Sequence, residues 1–107
     1  MPEIDATIHQ PLRLRIMAAL NSLGPGDQLD FSYLKELLGA TDGNLGSHLQ
    51  KLEEAGYIQV YKTFVGRRPK TYVTATTRGR FVFEEHVAAL RQILDGATGT
   101  PGAPEGG

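Results

Sequence analysis

Apolar residues recur at helical spacing through Ile8, Leu12, Ile16, Ala19, Leu20 and Leu23, which predicts a first helix over residues 11–22. Pro11 suits the first helical position, where its missing N–H costs nothing, and Gln10 precedes it as the cap. Arg13 and Arg15 fall off the apolar stripe. Gly24-Pro25-Gly26-Asp27 ends the pattern, and Gln28-Leu29 suffices only for a stub of strand. Asp30 is a good cap for a second helix, whose apolar face is Phe31, Leu34, Leu37 and Leu38 and whose stop is Gly39. Thr41 caps a third, over residues 41–55, with Leu45, Leu49 and Leu52 as its buried stripe and Gly56 at its left-handed end. So short a connection between the two is that of a helix-turn-helix.

The period then changes. Residues 57–65 and 71–75 are rich in β-branched and aromatic types, and Gly66-Arg67-Arg68-Pro69 closes a hairpin between them. Thr76 caps a last helix over residues 77–94. On it Phe83, Val87, Leu90 and Leu94 form the seam of a paired helix, and Val82, Ala89 and Ile93 widen the stripe beyond one small core. The elements predict a mainly α, α+β fold: a helix-turn-helix, a two-stranded β-wing and a C-terminal dimerisation helix.

The third helix carries short polar residues on its first turns, the requirement for a backbone approaching base edges in a major groove. Thr41, Asp42, Gly43, Asn44 and Ser47 supply them, and His48 and Lys51 continue the face. Asp42 either accepts from cytosine or complements the helix dipole. His48 is a DNA contact, a flank of the buried stripe or a solvated side chain. Gly43 and Gly46 each cost about 1 kcal/mol relative to Ala in a helix interior. Keeping both implies a close approach, either to the preceding helix or to DNA.

Net charge over the 107 residues is −1, which argues against a nucleic-acid partner until the distribution is considered. Residues 55–83 contain no acid, while Lys62, Arg67, Arg68, Lys70, Arg78 and Arg80 all fall there. Acids gather at the N-terminus, in Glu36, Glu53 and Glu54 on the far side of the helix pair, and in Glu84 and Glu85. Local potential within a Debye length of about 8–10 Å governs phosphate attraction, so the patch outweighs the total. Arg67 and Arg68 at a hairpin tip contribute nothing to a core and suit a narrow minor groove or phosphate; Lys62 and Lys70 flank them.

Composition closes other routes. There is no cysteine, hence no disulfide or thiolate chemistry, and His9, His48 and His86 lack metal-ligand spacing, so no metal or cofactor is expected. His86 is expected to face a helix partner or solvent. No nucleophile–base pair, carboxylate dyad or phosphate loop suggests an enzyme. No signal peptide or membrane-length apolar run is visible, giving the expectation of a cytoplasmic protein without membrane contact. Residues 1–95 should form the domain, and the Gly/Pro-rich residues 96–107 a disordered tail.

His9-Gln10-Pro11-Leu12-Arg13-Leu14-Arg15-Ile16 resembles the opening helix of ArsR-type regulators. Residues 38–58, the Gly66-Arg67-Arg68-Pro69 tip and Ala75-Thr76-Thr77-Arg78-Gly79-Arg80 resemble small winged-helix regulators related to the MarR family. The resemblance spans residues 4–94. It implies a homodimeric transcriptional regulator, with Asn44 and Ser47 in the major groove and Arg67 and Arg68 in the wing. Relatives often have Ser at Gly46, and the ArsR-type cysteine metal site is absent, so metal sensing does not carry over. A small aromatic effector near Tyr33, Phe81 and Phe83 stands against the simpler reading that these aromatics pack in the core. The resulting expectation is a dimeric repressor that binds double-stranded DNA. Its alternative is a winged-helix module that binds another protein.

Overall fold

The computed structural model describes residues 5–98, with side chains described through residue 96. Gln10 caps α1 (Pro11–Asn21), its side-chain oxygen accepting from the Arg13 N–H. Ile16, Met17 and Leu20 are the buried residues of this helix, so Met17 joins the face predicted from the spacing. β1 (Gln28–Asp30) follows, and Asp30 caps α2 (Phe31–Leu38) through the Ser32 N–H. Leu34 and Leu38 are buried, whereas Leu37 is exposed: a helix this short turns only one narrow stripe inward. Gly39 then takes a left-handed conformation, and Thr41 caps α3 (Asp42–Glu54) by accepting from the Asn44 N–H.

Leu45, Leu49 and Leu52 of α3 reach the common core, each burial stabilising the domain by about 1.5–3 kcal/mol. β2 (Ile58–Val65) and β3 (Arg68–Ala75) are antiparallel, and β1 adds to the other edge of β3, giving the order β1-β3-β2. Arg68 and Pro69, expected in the loop, instead pair with Val65 and Phe64 within the ladder. The turn shrinks to Gly66 and Arg67, with Gly66 at φ 66° where a side chain would be strained.

α4 (Thr77–Thr98) is longer than predicted, so the domain boundary expected at residue 96 falls inside a helix; residues 99–107 of the expected tail lie outside the described residues. Thr76 caps it through the Gly79 N–H, and a Cβ on Gly79 would stand 2.0 Å from the Tyr57 carbonyl oxygen. Only glycine lets α4 start this close to β2.

The aromatic and histidine expectations need correction. Phe83 packs partly buried against the core, but Tyr33 and Phe81 are exposed, so two of the three aromatics do not pack inside. Of the two alternatives for His86, a helix partner or solvent, the structure excludes solvent: the residue is fully buried, because α4 packs on α1 and His9. Its ring lies 5.3 Å from that of His9, and neither ring nitrogen has a hydrogen-bond partner among the described residues.

Candidate nucleic-acid interface

At 3.6 residues per turn, the side of α3 opposite its buried leucines is centred on Gly43, Ser47, Gln50, Lys51 and Glu54. All five are exposed. Asn44 and His48 lie to one flank and Gly46 to the other. Gln50 was missed from sequence, although its place follows from the same periodicity; its amide donates to Glu54 at 3.2 Å.

Neither Gly43 nor Gly46 is needed for packing, since a Cβ built on either meets nothing within 4 Å. This excludes close approach to α2 as the reason for two helix-weakening glycines; Gly43 lies on the outer side of α3 and Gly46 on the flank toward the wing. Asp42 is exposed and its carboxylate lies 2.8 Å from the Lys35 ammonium, bridging α2 to the first turn of α3. The pair and the helix dipole account for it without a base contact. Thr41 is committed as the cap, while the Asn44 and Ser47 side chains are exposed and carry no protein partner among the described residues.

The wing sorts its cations by strand alternation. The register pairs Val60 with Val73, Lys62 with Thr71 and Phe64 with Pro69, so these share one face of the ladder; Thr63, Lys70, Val65 and Arg68 share the other. Lys62 and Val60 border, with Gly46, Leu49, Gln50 and Glu53, a groove of about 310 Å³ between α3 and the wing. Lys62 therefore lies on the α3 side. Lys70, by contrast, turns away and holds Asp30 at 3.1 Å, and that bond keeps the Asp30 carboxyl below its usual range.

Other cations of the acid-free segment also serve the fold. Arg78 stacks its guanidinium over Tyr57, and Arg80 donates to the Leu23 carbonyl. Neither Glu53 nor Glu54 is on the far side of the helix pair as expected: Glu54 sits on the outward face of α3 beside Gln50, and the Glu53 carboxylate accepts from the Val60 N–H at 3.1 Å, occupying a donor of the edge strand. Lys51, Lys62, Arg67 and Arg68 are left exposed, with no ion pair among the described residues. Sequence reasoning also passed over Phe64, which is 71% exposed beside Lys62 on the α3 side of the wing. Its signal was an apolar residue continuing the inward alternation past the end of the core.

Two further contacts brace this surface. Arg13 of α1 reaches His48, donating from Nε to Nδ1 at 3.1 Å. Asp5 accepts from the Tyr57 hydroxyl at 2.7 Å and from the Thr7 and Ile8 N–H groups; burial, then this bond, pushes the Tyr57 pKa up.

On α4, Phe83 and Val87 border a shallow depression of about 440 Å³, Leu90 is half-buried, and Leu94 is exposed on the following turn. No cluster of three metal-ligating side chains occurs among the described residues, and no helix there is long and apolar enough to cross a membrane.

Comparison with known proteins agrees with this geometry. Residues 12–94 match the family model of a winged helix DNA-binding domain. An uncharacterized protein of Methanocaldococcus jannaschii is 39% identical over 82 residues, 77% of this chain and 86% of that protein. The transcriptional regulator homologue from Pyrococcus horikoshii OT3 superposes with a TM-score of 0.78 at 32% identity, over 86% of this chain and 88% of the other. A MarR-family regulator from Porphyromonas gingivalis W83 shares the fold, with a TM-score of 0.62 at 17% identity over 88% and 85% of the two chains. The chain belongs to the winged-helix DNA-binding domain family, and it shares its fold with transcriptional regulators, one of the MarR family among them.

Proposed function

We propose that the protein is a dimeric, sequence-specific repressor of transcription, acting on double-stranded DNA in the cytoplasm. Each protomer sets α3 in the major groove of one half-site, with half-sites about 34 Å apart. Gly43 allows the approach, Asn44, Ser47 and His48 face base edges, and Lys51 reaches guanine or phosphate. Lys62, Arg67 and Arg68 hold phosphate or enter the minor groove, while Thr41, Asp42 and Lys70 keep these elements in place. The observation that carries this reading is the glycine pair: a helix weakened twice, with open space where either side chain would stand.

Pairing through α4 supports the dimer. Residues 91–96 are exposed, and Phe83 and Val87 offer an apolar depression. Sedimentation equilibrium tests it: the wild type should be a dimer and Val87→Glu a monomer. Retention of genomic fragments at low salt, followed by sequencing, tests the function as a whole. Selective enrichment of one palindromic sequence is the expected result.

Exposed Phe64, Val65 and Tyr61 on the wing favour a second reading, a module that binds another protein. No retention of any fragment at low salt would establish that alternative over the first.

A further inference from the structure

Arg13 and His48 are 35 residues apart in sequence and meet between α1 and the flank of α3. Arginine is protonated at any physiological pH, so its Nε always donates. The His48 Nδ1 that accepts this bond therefore carries no proton, and the neutral ring holds its proton on Nε2. The guanidinium is itself fixed from behind, Nη1 donating to the Thr7 carbonyl at 3.2 Å. Thr7 is in turn secured by Asp5, which is bonded to Tyr57. His48 is only half-buried, and its Nε2 has no partner among the described residues.

From this geometry we infer that Arg13 is a positioning residue that presents His48 as a pure Nε2–H donor to a base edge. The inference rests on the DNA-reading role of α3 proposed above. A ring with a free choice of tautomer accepts from cytosine or adenine amino groups as readily as it donates. Held as a donor, it favours an edge with acceptors alone. Guanine offers two adjacent ones in the major groove, O6 and N7, whereas cytosine presents its N4 amino group and is disfavoured. Arg13 thus contributes to sequence choice without touching DNA.

The test selects binding sites from randomised duplexes with the full-length wild type, Arg13→Ala, His48→Ala and the double variant. The free proteins are also examined by long-range ¹H–¹⁵N correlation of the imidazoles. Wild-type His48 should show only the Nε2–H form, and Arg13→Ala a mixture of the two tautomers. His48→Ala should reduce a guanine preference at one position per half-site by about fivefold to tenfold. Arg13→Ala should relax the same position by a similar factor, and the double variant no further. Arg13→Lys, which keeps a donor and the charge, serves if the alanine variant does not fold, and should restore part of the preference.

An Nδ1–H tautomer in the wild type would overturn the inference. So would a loss in Arg13→Ala that is uniform over all sequences, falls at another position, or persists undiminished beside His48→Ala. Failure of the wild type to select any sequence would instead remove the reading beneath it, and the tautomer measurement on free protein still decides whether Arg13 sets the His48 ring.

Discussion

Replacing both glycines of the recognition helix by alanine should make the protein more stable and a worse DNA binder. Gly46 is interior to α3, where alanine is favoured by about 0.8–1.0 kcal/mol, and Gly43 in the first turn adds a few tenths. Since neither new methyl group meets an atom within 4 Å, no packing penalty offsets the gain. For a domain of this size the double variant should melt about 5–10 °C higher. In the proposed complex the Gly43 methyl would stand on the groove-facing side of α3 and the Gly46 methyl on its wing flank, and inserting a methyl into a close-packed contact costs about 1–3 kcal/mol. Affinity for the selected site should fall about fivefold to a hundredfold. Thermal melting by circular dichroism and fluorescence anisotropy with a labelled duplex measure the two effects. Gly79→Ala is the opposite control: its Cβ collides with the Tyr57 carbonyl, so it should melt lower. A fall in melting temperature for the double variant would show that the glycines serve the fold. Unchanged affinity would show that α3 does not approach DNA where they lie.

Arg67→Ala with Arg68→Ala should weaken binding to specific and random duplexes alike and lower the slope of log K against log[salt] by about two; an unchanged slope excludes wing contact with DNA. Lys62→Met should lower that slope by about one, whereas Lys70→Met should leave it nearly unchanged, because that ammonium is held by Asp30 on the other face. Equal slopes for the two variants would refute the assignment of faces. Burial, with the nearby His9 adding to it, pushes the His86 pKa below its usual 6.5. The unfolded chain then binds the proton more readily than the folded one, so stability is full above about pH 6.5 and declines as pH falls toward the folded value. Urea titrations across that window should show this decline in the wild type and a flatter profile in His86→Met.

The sequence by itself determined the order of elements, their caps and the helix-turn-helix. These are local matters: Thr41 before a leucine stripe, Asp30 before Phe31 and Gly39 after Leu38 act within a turn or two of chain. Local rules also located the wing, because an acid-free run with arginines between two β-rich segments reads the same in any fold. They failed where the outcome depends on what lies across the molecule. Strand register decided that Lys62 faces α3 while Lys70 turns to Asp30, since neighbours in sequence alternate faces only once pairing is set. Packing of α4 on α1 buried His86, which periodicity could not separate from a solvated histidine. Tertiary space alone removed packing against α2 as an explanation of Gly43 and Gly46, for a glycine in sequence does not reveal what its missing methyl would touch. The contact of Arg13 with His48 was illegible for the same reason: two polar side chains on different helices acquire a relation only when the core brings those helices together.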